Sequence, residues 1–325
     1  MAASGWPTEP NGIISVDASP SLLYNNLSTN GEWLAYAHKE TVRLFKEAAS
    51  DGKTDAACEK APYTDPVSVT QVKWVQVEGT WFLFICSAQG FQIVDSTGKR
   101  SLQFFNMASA AAASDDTVGS CRGVTGVPGS PSVCVGCYNG QILVWALSGR
   151  SSFTQSQVLE GHADAIVSLG ASADWMVSGD RGGTVCVWSA TALTRHCAFE
   201  EGGGFPATSV GVKRGVAIAA FASGHVRLFD IAGKRLTTEI AAHARCITAL
   251  DVHPTRNSFA TVGEDAVMNV WALPDGEDKG SADVTLEICS PVPDRLLAGV
   301  AFLLSEDAVV AATYDTHSLP FWRRA

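Results

Sequence analysis

The sequence predicts an all-β chain built from seven copies of one four-stranded unit and closed into a ring, a seven-bladed β-propeller. Two observations carry this reading. First, seven segments share one outline: a short apolar strand, a turn of small or polar residues, then a strand that closes on an aromatic or apolar residue. The closing positions are Phe45, Val94, Trp145, Trp188, Phe229, Trp271 and Trp322, at steps of 49, 51, 43, 41, 42 and 51 residues. A period of ~40–45 residues with four short strands per repeat is the signature of propeller blades. Second, the sequence stops at the seventh closing strand, while "GIISV" at 12–16 stands ahead of the first full repeat. That strand is placed to supply the outermost position of the last blade, which removes the exposed edges an open array would leave.

In chain order the units are "WLAYAHKETVRLF", "FLFICSAQGFQIV", "VCVGCYNGQILVW", "WMVSGDRGGTVCVW", "VAIAAFASGHVRLF", "FATVGEDAVMNVW" and "VVAATYDTHSLPFW". The three longer steps hold loop-like inserts: "KEAASDGKTDAACEK", the low-complexity "NMASAAAASDD", and "PDGEDKGSAD". No Pro/Gly/Ser linker divides the chain, and half a ring would leave apolar blade faces bare. A single domain over residues 1–325 is therefore expected.

Composition bounds the function. Apolar residues make up 46% of 325, ordinary for a globular chain with a real core. Acidic residues outnumber basic ones 33 to 23, for a net charge of −10. That balance argues against a nucleic-acid partner, which needs a basic face. The start "MAASGWPTEPNG" has no signal-peptide layout. The runs "GVAIAAFASG" and "RLLAGVAFLL" are shorter than a membrane span of ~18–20 residues. A soluble, cytoplasmic chain without membrane insertion is expected, its nine cysteines reduced. On that view the sequon "NLS" at Asn26 is silent.

The richest stretch in chemical side chains is "HARCITALDVH", His243 to His253. Its middle reads as a strand. At ~3.3 Å per residue the two histidines would lie ~33 Å apart, too far to share a metal. Cys246 and Asp251 would face opposite sides, ~16 Å apart, so no nucleophilic pair forms from them. "CVGC" at Cys134–Cys137 is a lone C-x-x-C on a strand whose i and i+3 positions diverge, and reads as two core cysteines. The glycine-rich "EEGGGFP" and "GDRGGT" do not have the phosphate-loop layout and read as a loop and a hairpin turn. "DGEDKGSAD" reads as a solvated acidic loop, with a weak cation site or an acidic docking loop as alternatives. Arg323 and Arg324 read as solvated charges at a strand end. Trp33, Trp74, Trp81 and Trp175 read as core or turn residues. No metal or cofactor is expected.

These segments resemble WD-repeat β-propellers. The match is fullest in the sixth unit, where His243, Thr261, Asp265 and Trp271 sit at the positions of that family's buried hydrogen-bonded tetrad. The fourth unit matches in part, with Gly161, His162, Ser178 and Trp188 in place. Its turn aspartate is missing, since Gly182 occupies the position and Asp180 lies two residues earlier. The third has Asn139 there, and the other units are degenerate. "NNLS" at 25–28, "VTQVKW" at 69–74, "AHARCITALDV" at 242–252 and "GEDAVMNVW" at 263–271 together resemble the WD repeat-containing protein 54 family.

The resemblance implies a non-catalytic platform that binds other proteins or peptides within a multi-subunit assembly, commonly through the top face of the ring. By the same analogy, the residues two after the blade histidines, Asp164 and Arg245, are candidates for that face. Of these, Arg245 suits a carboxylate, while a pairing with a neighbouring loop acid is the simpler alternative. A ubiquitin-ligase substrate receptor is a second reading. It is weakened because the places where Trp-Asp-x-Arg would stand read Trp188-Ser189, Trp271-Ala272 and Phe229-Asp230-Ile231-Ala232. An enzyme with carboxylates in the channel is a third, and would show convergent acids with shifted pKa values there. A cytoskeletal or ciliary setting is a narrower version of the scaffold reading that no residue demonstrates.

Overall fold

The computed structural model describes residues 5–47, 59–60, 68–107, 120–274, 284–303 and 307–325. Most of the three inserts named above, with "DGEDKGSAD" and its cation or docking readings, lies outside the described residues.

Seven four-stranded antiparallel sheets make up the molecule, each a blade, and no α-helix occurs among the described residues. From the innermost strand outward, blade one comprises Ser28–Thr29, Trp33–His38, Thr41–Lys46 and Glu59–Lys60. The inner strands of blades two to seven are Val69–Val77, Cys121–Gly126, Ile166–Ala171, Ala207–Lys213, Ile247–Val252 and Leu297–Leu303. The seven closing residues all fall on third strands, from Thr41–Lys46 in blade one to Ser318–Arg323 in blade seven. Gly12–Ser15 pairs antiparallel with Ser318–Arg323, setting Gly12 against Phe321 and Ser15 against Ser318. The outermost strand of the last blade therefore comes from the other end of the chain.

Burial follows position. Inner strands are closed in by neighbouring blades on both faces, and all seven residues of Leu297–Leu303 are buried. Outer strands face solvent, so Ser152–Leu159 buries only Phe153 and Leu159. The core is seven apolar clusters, each shared by two adjacent blades. One of them joins Leu34, Tyr36 and Phe45 of blade one to Val310, Leu319 and Phe321 of blade seven. Degenerate repeats use the same backbone device as the well-matched ones. In blades two to six the pairing of third and fourth strands slips by one residue at the closing position itself, at Val94 and Phe229 as at Trp145, Trp188 and Trp271. Such bulges increase strand twist, so a shared twist is set by backbone register even where the aromatic is absent.

Polar side chains on the inner strands stitch blade to blade. Ser28 Oγ accepts the Trp74 N–H at 2.9 Å, and Gln71 Oε1 accepts the Gly123 N–H at 2.6 Å. Ser168 Oγ accepts the Val210 N–H (3.1 Å), and Ser209 donates to the Leu250 carbonyl (3.2 Å). Thr248 donates to the Leu297 carbonyl at 2.5 Å, and the Asp251 carboxylate accepts the Phe302 N–H at 2.8 Å. The Asn26 N–H closes the series on the Ala298 carbonyl at 3.0 Å. Between blades three and four the contact is apolar and close: a Cβ on Gly136 would stand 2.3 Å from Ile166 Cγ2 and 2.4 Å from the Arg122 carbonyl. Each bond satisfies a buried backbone group, and together they fix the channel wall.

Candidate functional site on the upper face

Antiparallel four-stranded blades put two sets of loops on one face: the links from one blade to the next, and the turns between second and third strands. That is the upper face. His243, in the link into blade six, has its side chain fully enclosed. Its Nδ1 faces Asp265 Oδ1 at 2.9 Å and its Nε2 faces Thr261 Oγ1 at 2.9 Å, while Trp271 Nε1 donates to the same hydroxyl at 3.1 Å. Trp271 has only a donor to offer, so the threonine oxygen accepts it and passes its own proton toward the histidine. Asn269 donates to His243 Nε2 (3.3 Å) and to the Ala242 carbonyl (2.9 Å). Gly263 makes the approach possible, since a Cβ there would meet His243 Nδ1 at 2.8 Å and Asp265 Oδ1 at 2.9 Å. Burial alone would raise the Asp265 pKa, but bonds and charge from His243 and the N–H groups of Ala244 and Val267 outweigh it and hold the carboxyl below its ordinary value.

Blade four builds the same chain with a different acid. His162 Nε2 lies 2.6 Å from Ser178 Oγ, and Trp188 Nε1 donates to that oxygen at 2.8 Å. The acid is Asp180, the last residue of the strand Trp175–Asp180, whose Oδ2 is 2.7 Å from His162 Nδ1. Counting along the turn finds only Gly182; the structure completes the tetrad from two residues earlier, and Asp180 Oδ1 also takes the Thr184 N–H at 2.8 Å. The Ser178–His162–Asp180 order imitates a nucleophilic triad. Ser178 and Trp188 are buried, and the hydroxyl is held between indole and imidazole, so it is closed to a substrate.

Asp164 and Arg245 both lie exposed on the upper links. Their backbones are held equivalently: a Cβ on Gly140 would strike the carbonyls of His162 and Asp164, and one on Gly224 those of His243 and Arg245. Asp164 accepts the N–H of Ala165. Arg245 forms no ion pair with a described residue. Around them stand residues that sequence reasoning did not single out. Arg181 donates to the Tyr138 hydroxyl at 3.0 Å and lies over its ring, and Leu22, Phe205 and Tyr314 are exposed on the same face.

The segment Tyr24–Asn26 crosses the upper end of the channel. The Asn25 N–H bonds to the Thr248 carbonyl of blade six at 3.0 Å, and the Asn25 amide reaches the Thr208 carbonyl of blade five at 3.1 Å. Asn25 adopts φ 56°, a left-handed conformation asparagine tolerates better than most residues. The Tyr24 hydroxyl lies 3.8 Å from Cys246 Sγ, and the ring stacks under the Arg122 guanidinium of blade three. Burial, with Cys246 beside it, pushes the Tyr24 pKa up to about 12. Asn26 is buried, its amide shared between Ser21 and Ala37, which leaves no nitrogen for a glycan.

The lower end of the channel opens into a cavity of about 590 Å³ bordered by Lys73, Lys213, Arg214, Asp251 and His253. Among the described residues that line it Asp251 is the one carboxylate, raised in pKa by burial and engaged with Phe302. Two convergent acids do not meet among those residues. Cys134 and Cys137 are both buried, but in different interblade clusters, and Cys137 lies opposite Cys121. Among the described residues no group of three His, Cys, Asp or Glu side chains is arranged to hold a metal. No helix among them is long and apolar enough to cross a membrane.

Residues 29–322 match the WDR54 family model. The chain is 30% identical over 250 residues to WD repeat domain 54 of Rattus norvegicus, covering 73% of this chain and 72% of that protein. It is 28% identical over 326 residues to WD repeat-containing protein 54 of Homo sapiens, covering 93% and 95%. A solved chain from the crystal structure of the mitotic checkpoint complex superposes with a TM-score of 0.76 over 98% of this chain and 92% of that one. At 17% identity that likeness speaks for the fold alone.

Proposed function

The chain belongs to the WDR54 family of WD-repeat proteins, and from that membership and the upper-face geometry we propose that it is a non-catalytic scaffold that binds a partner protein through its upper face. WD-repeat propellers generally act as platforms for protein–protein interaction. One observation supports the choice of face. Leu22, Tyr138, Phe205 and Tyr314 are between 39% and 48% exposed there, on the face that also carries the exposed Arg181 and Arg245. The other large exposed apolar side chains among the described residues, Ile13, Phe104, Val158 and Leu286, lie one each on the outermost strands of four different blades. Aromatic and arginine side chains are the usual anchors of protein interfaces. Rigid tetrads beneath the loops reduce the ordering cost of binding.

The test is affinity capture with the full chain, followed by photo-crosslinking from positions 138 and 205. Crosslinks to one stable protein partner are expected, with recovery reduced at least fivefold by Arg245→Glu and unchanged by Lys213→Glu on the lower face. Recovery of no stable protein partner, or loss through Lys213→Glu alone, would overturn the reading.

A further inference from the structure

Three described arginines carry a buried guanidinium nitrogen without a hydrogen-bond partner: Arg43, Arg122 and Arg227. Arg43 is paired with Asp17 and Arg227 with Glu239. Arg122 forms no ion pair or side-chain hydrogen bond with any described residue. It stands second on the inner strand of blade three, between Cys121, which packs into an interblade cluster, and Gly123. Its guanidinium carbon lies 4.9 Å from the centre of the Tyr24 ring, under the segment that crosses the upper end of the channel.

A cation enclosed without a counter-ion is costly, and one aromatic face offsets only part of that cost. Enclosure pushes the Arg122 pKa down, and among the described residues the groups that act on its charge are Tyr24 and Cys86, not a carboxylate. The side chain is nonetheless partly accessible to solvent, as expected for a residue walled in by the channel yet reachable along it.

We propose that Arg122 receives one carboxylate side chain, an aspartate or glutamate on an acidic segment of the partner protein inserted at the upper end of the channel. This rests on the upper-face reading and narrows it to a chemistry. The guanidinium carbon lies over the Tyr24 ring and Nε is buried, so a planar carboxylate would be received end-on by the two Nη groups.

The test uses the full chain and arrayed decapeptides whose central residue is glutamate, glutamine or phosphoserine, with affinities then measured by fluorescence anisotropy. Glutamate peptides are expected to bind at least tenfold tighter than their glutamine counterparts, and Arg122→Met to abolish that ratio. The free Arg122→Met chain should melt at or above the temperature of the parent, because it sheds an uncompensated charge. A lowered melting temperature with the glutamate ratio intact would make Arg122 merely structural and overturn the proposal, as would a preference for phosphoserine. Unchanged melting is expected for the Asp115→Asn/Asp116→Asn chain; a fall would assign the chain's own acids to Arg122 and overturn the proposal too. If Arg245→Glu abolishes partner capture while Arg122→Met leaves both capture and ratio unchanged, the upper face stands and the Arg122 assignment fails. If neither variant affects capture, the upper-face reading itself fails.

Discussion

Replacing Asp180 by alanine tests the acid of blade four. Its carboxylate takes two hydrogen bonds, from His162 at 2.7 Å and from the Thr184 backbone at 2.8 Å. The His162 and Asp180 side chains are 0% and 1% exposed, so water cannot readily replace what is removed. A buried donor stranded without its acceptor costs about 1–3 kcal/mol. With two such donors and some relaxation, Asp180→Ala should cost about 2–5 kcal/mol. The Asp265 side chain is 12% exposed, so the corresponding loss for Asp265→Ala should be smaller, about 1–3 kcal/mol. At an unfolding entropy of roughly 2.1 cal/mol/K per residue, a chain this long loses about 1.5 °C for each kcal/mol. Calorimetric melts should therefore fall by about 3–7 °C for Asp180→Ala and by less for Asp265→Ala. Asp180→Asn keeps one acceptor oxygen and should lie between parent and alanine. A melt of Asp180→Ala within 1 °C of the parent, or a larger loss at Asp265, would refute the argument that the strand-end aspartate completes the tetrad.

Three further outcomes follow from the packing. His253 Nδ1 accepts the N–H groups of Arg256 (2.9 Å) and Thr255 (3.2 Å); burial, with the Arg256 and Lys213 charges nearby, pushes its pKa down to about 4. The unfolded chain, with a histidine pKa of about 6.5, takes up the proton first, so stability is full above that value and falls as pH drops toward about 4. His253→Asn keeps an oxygen for the same turn and removes the proton, so the gap between urea midpoints at pH 7 and pH 5 should narrow; an unchanged gap excludes His253 as its source. Gly136→Ala drives a Cβ against Ile166 and the Arg122 carbonyl, and should destabilise the chain by about 1–3 kcal/mol in denaturant titrations. Among the described cysteines the exposed Cys289 should react first with maleimide, while buried Cys134, its pKa pushed up to about 12, should stay unmodified until the chain unfolds. Peptide mass mapping of the native protein reads both.

What the sequence showed, and what it did not, divides along a physical line. Spacing reports the repeat because each blade must return the chain to the same face after four strands, and all seven closing residues lie on third strands as a result. Side-chain identity reports the tetrad of blade six because each member sits at its usual distance along the chain. In blade four the constraint is the distance from a carboxylate oxygen to His162 Nδ1, and an aspartate at the strand end satisfies it as well as one in the turn. Counting residues cannot see that equivalence. Blade three shows the converse: Trp145 stands at the expected position, yet its indole nitrogen has no partner among the described residues and its ring packs on Phe91 and Phe105 instead. The short motifs "NNLS" and "VTQVKW" gain a physical meaning only in the ring, where Asn25, Asn26, Ser28 and Gln71 bond across blades. Arg122 belongs to no motif at all. Its signal is a guanidinium enclosed without an acid among the described residues, a relation between blade three and the segment crossing the channel that only the folded ring brings together.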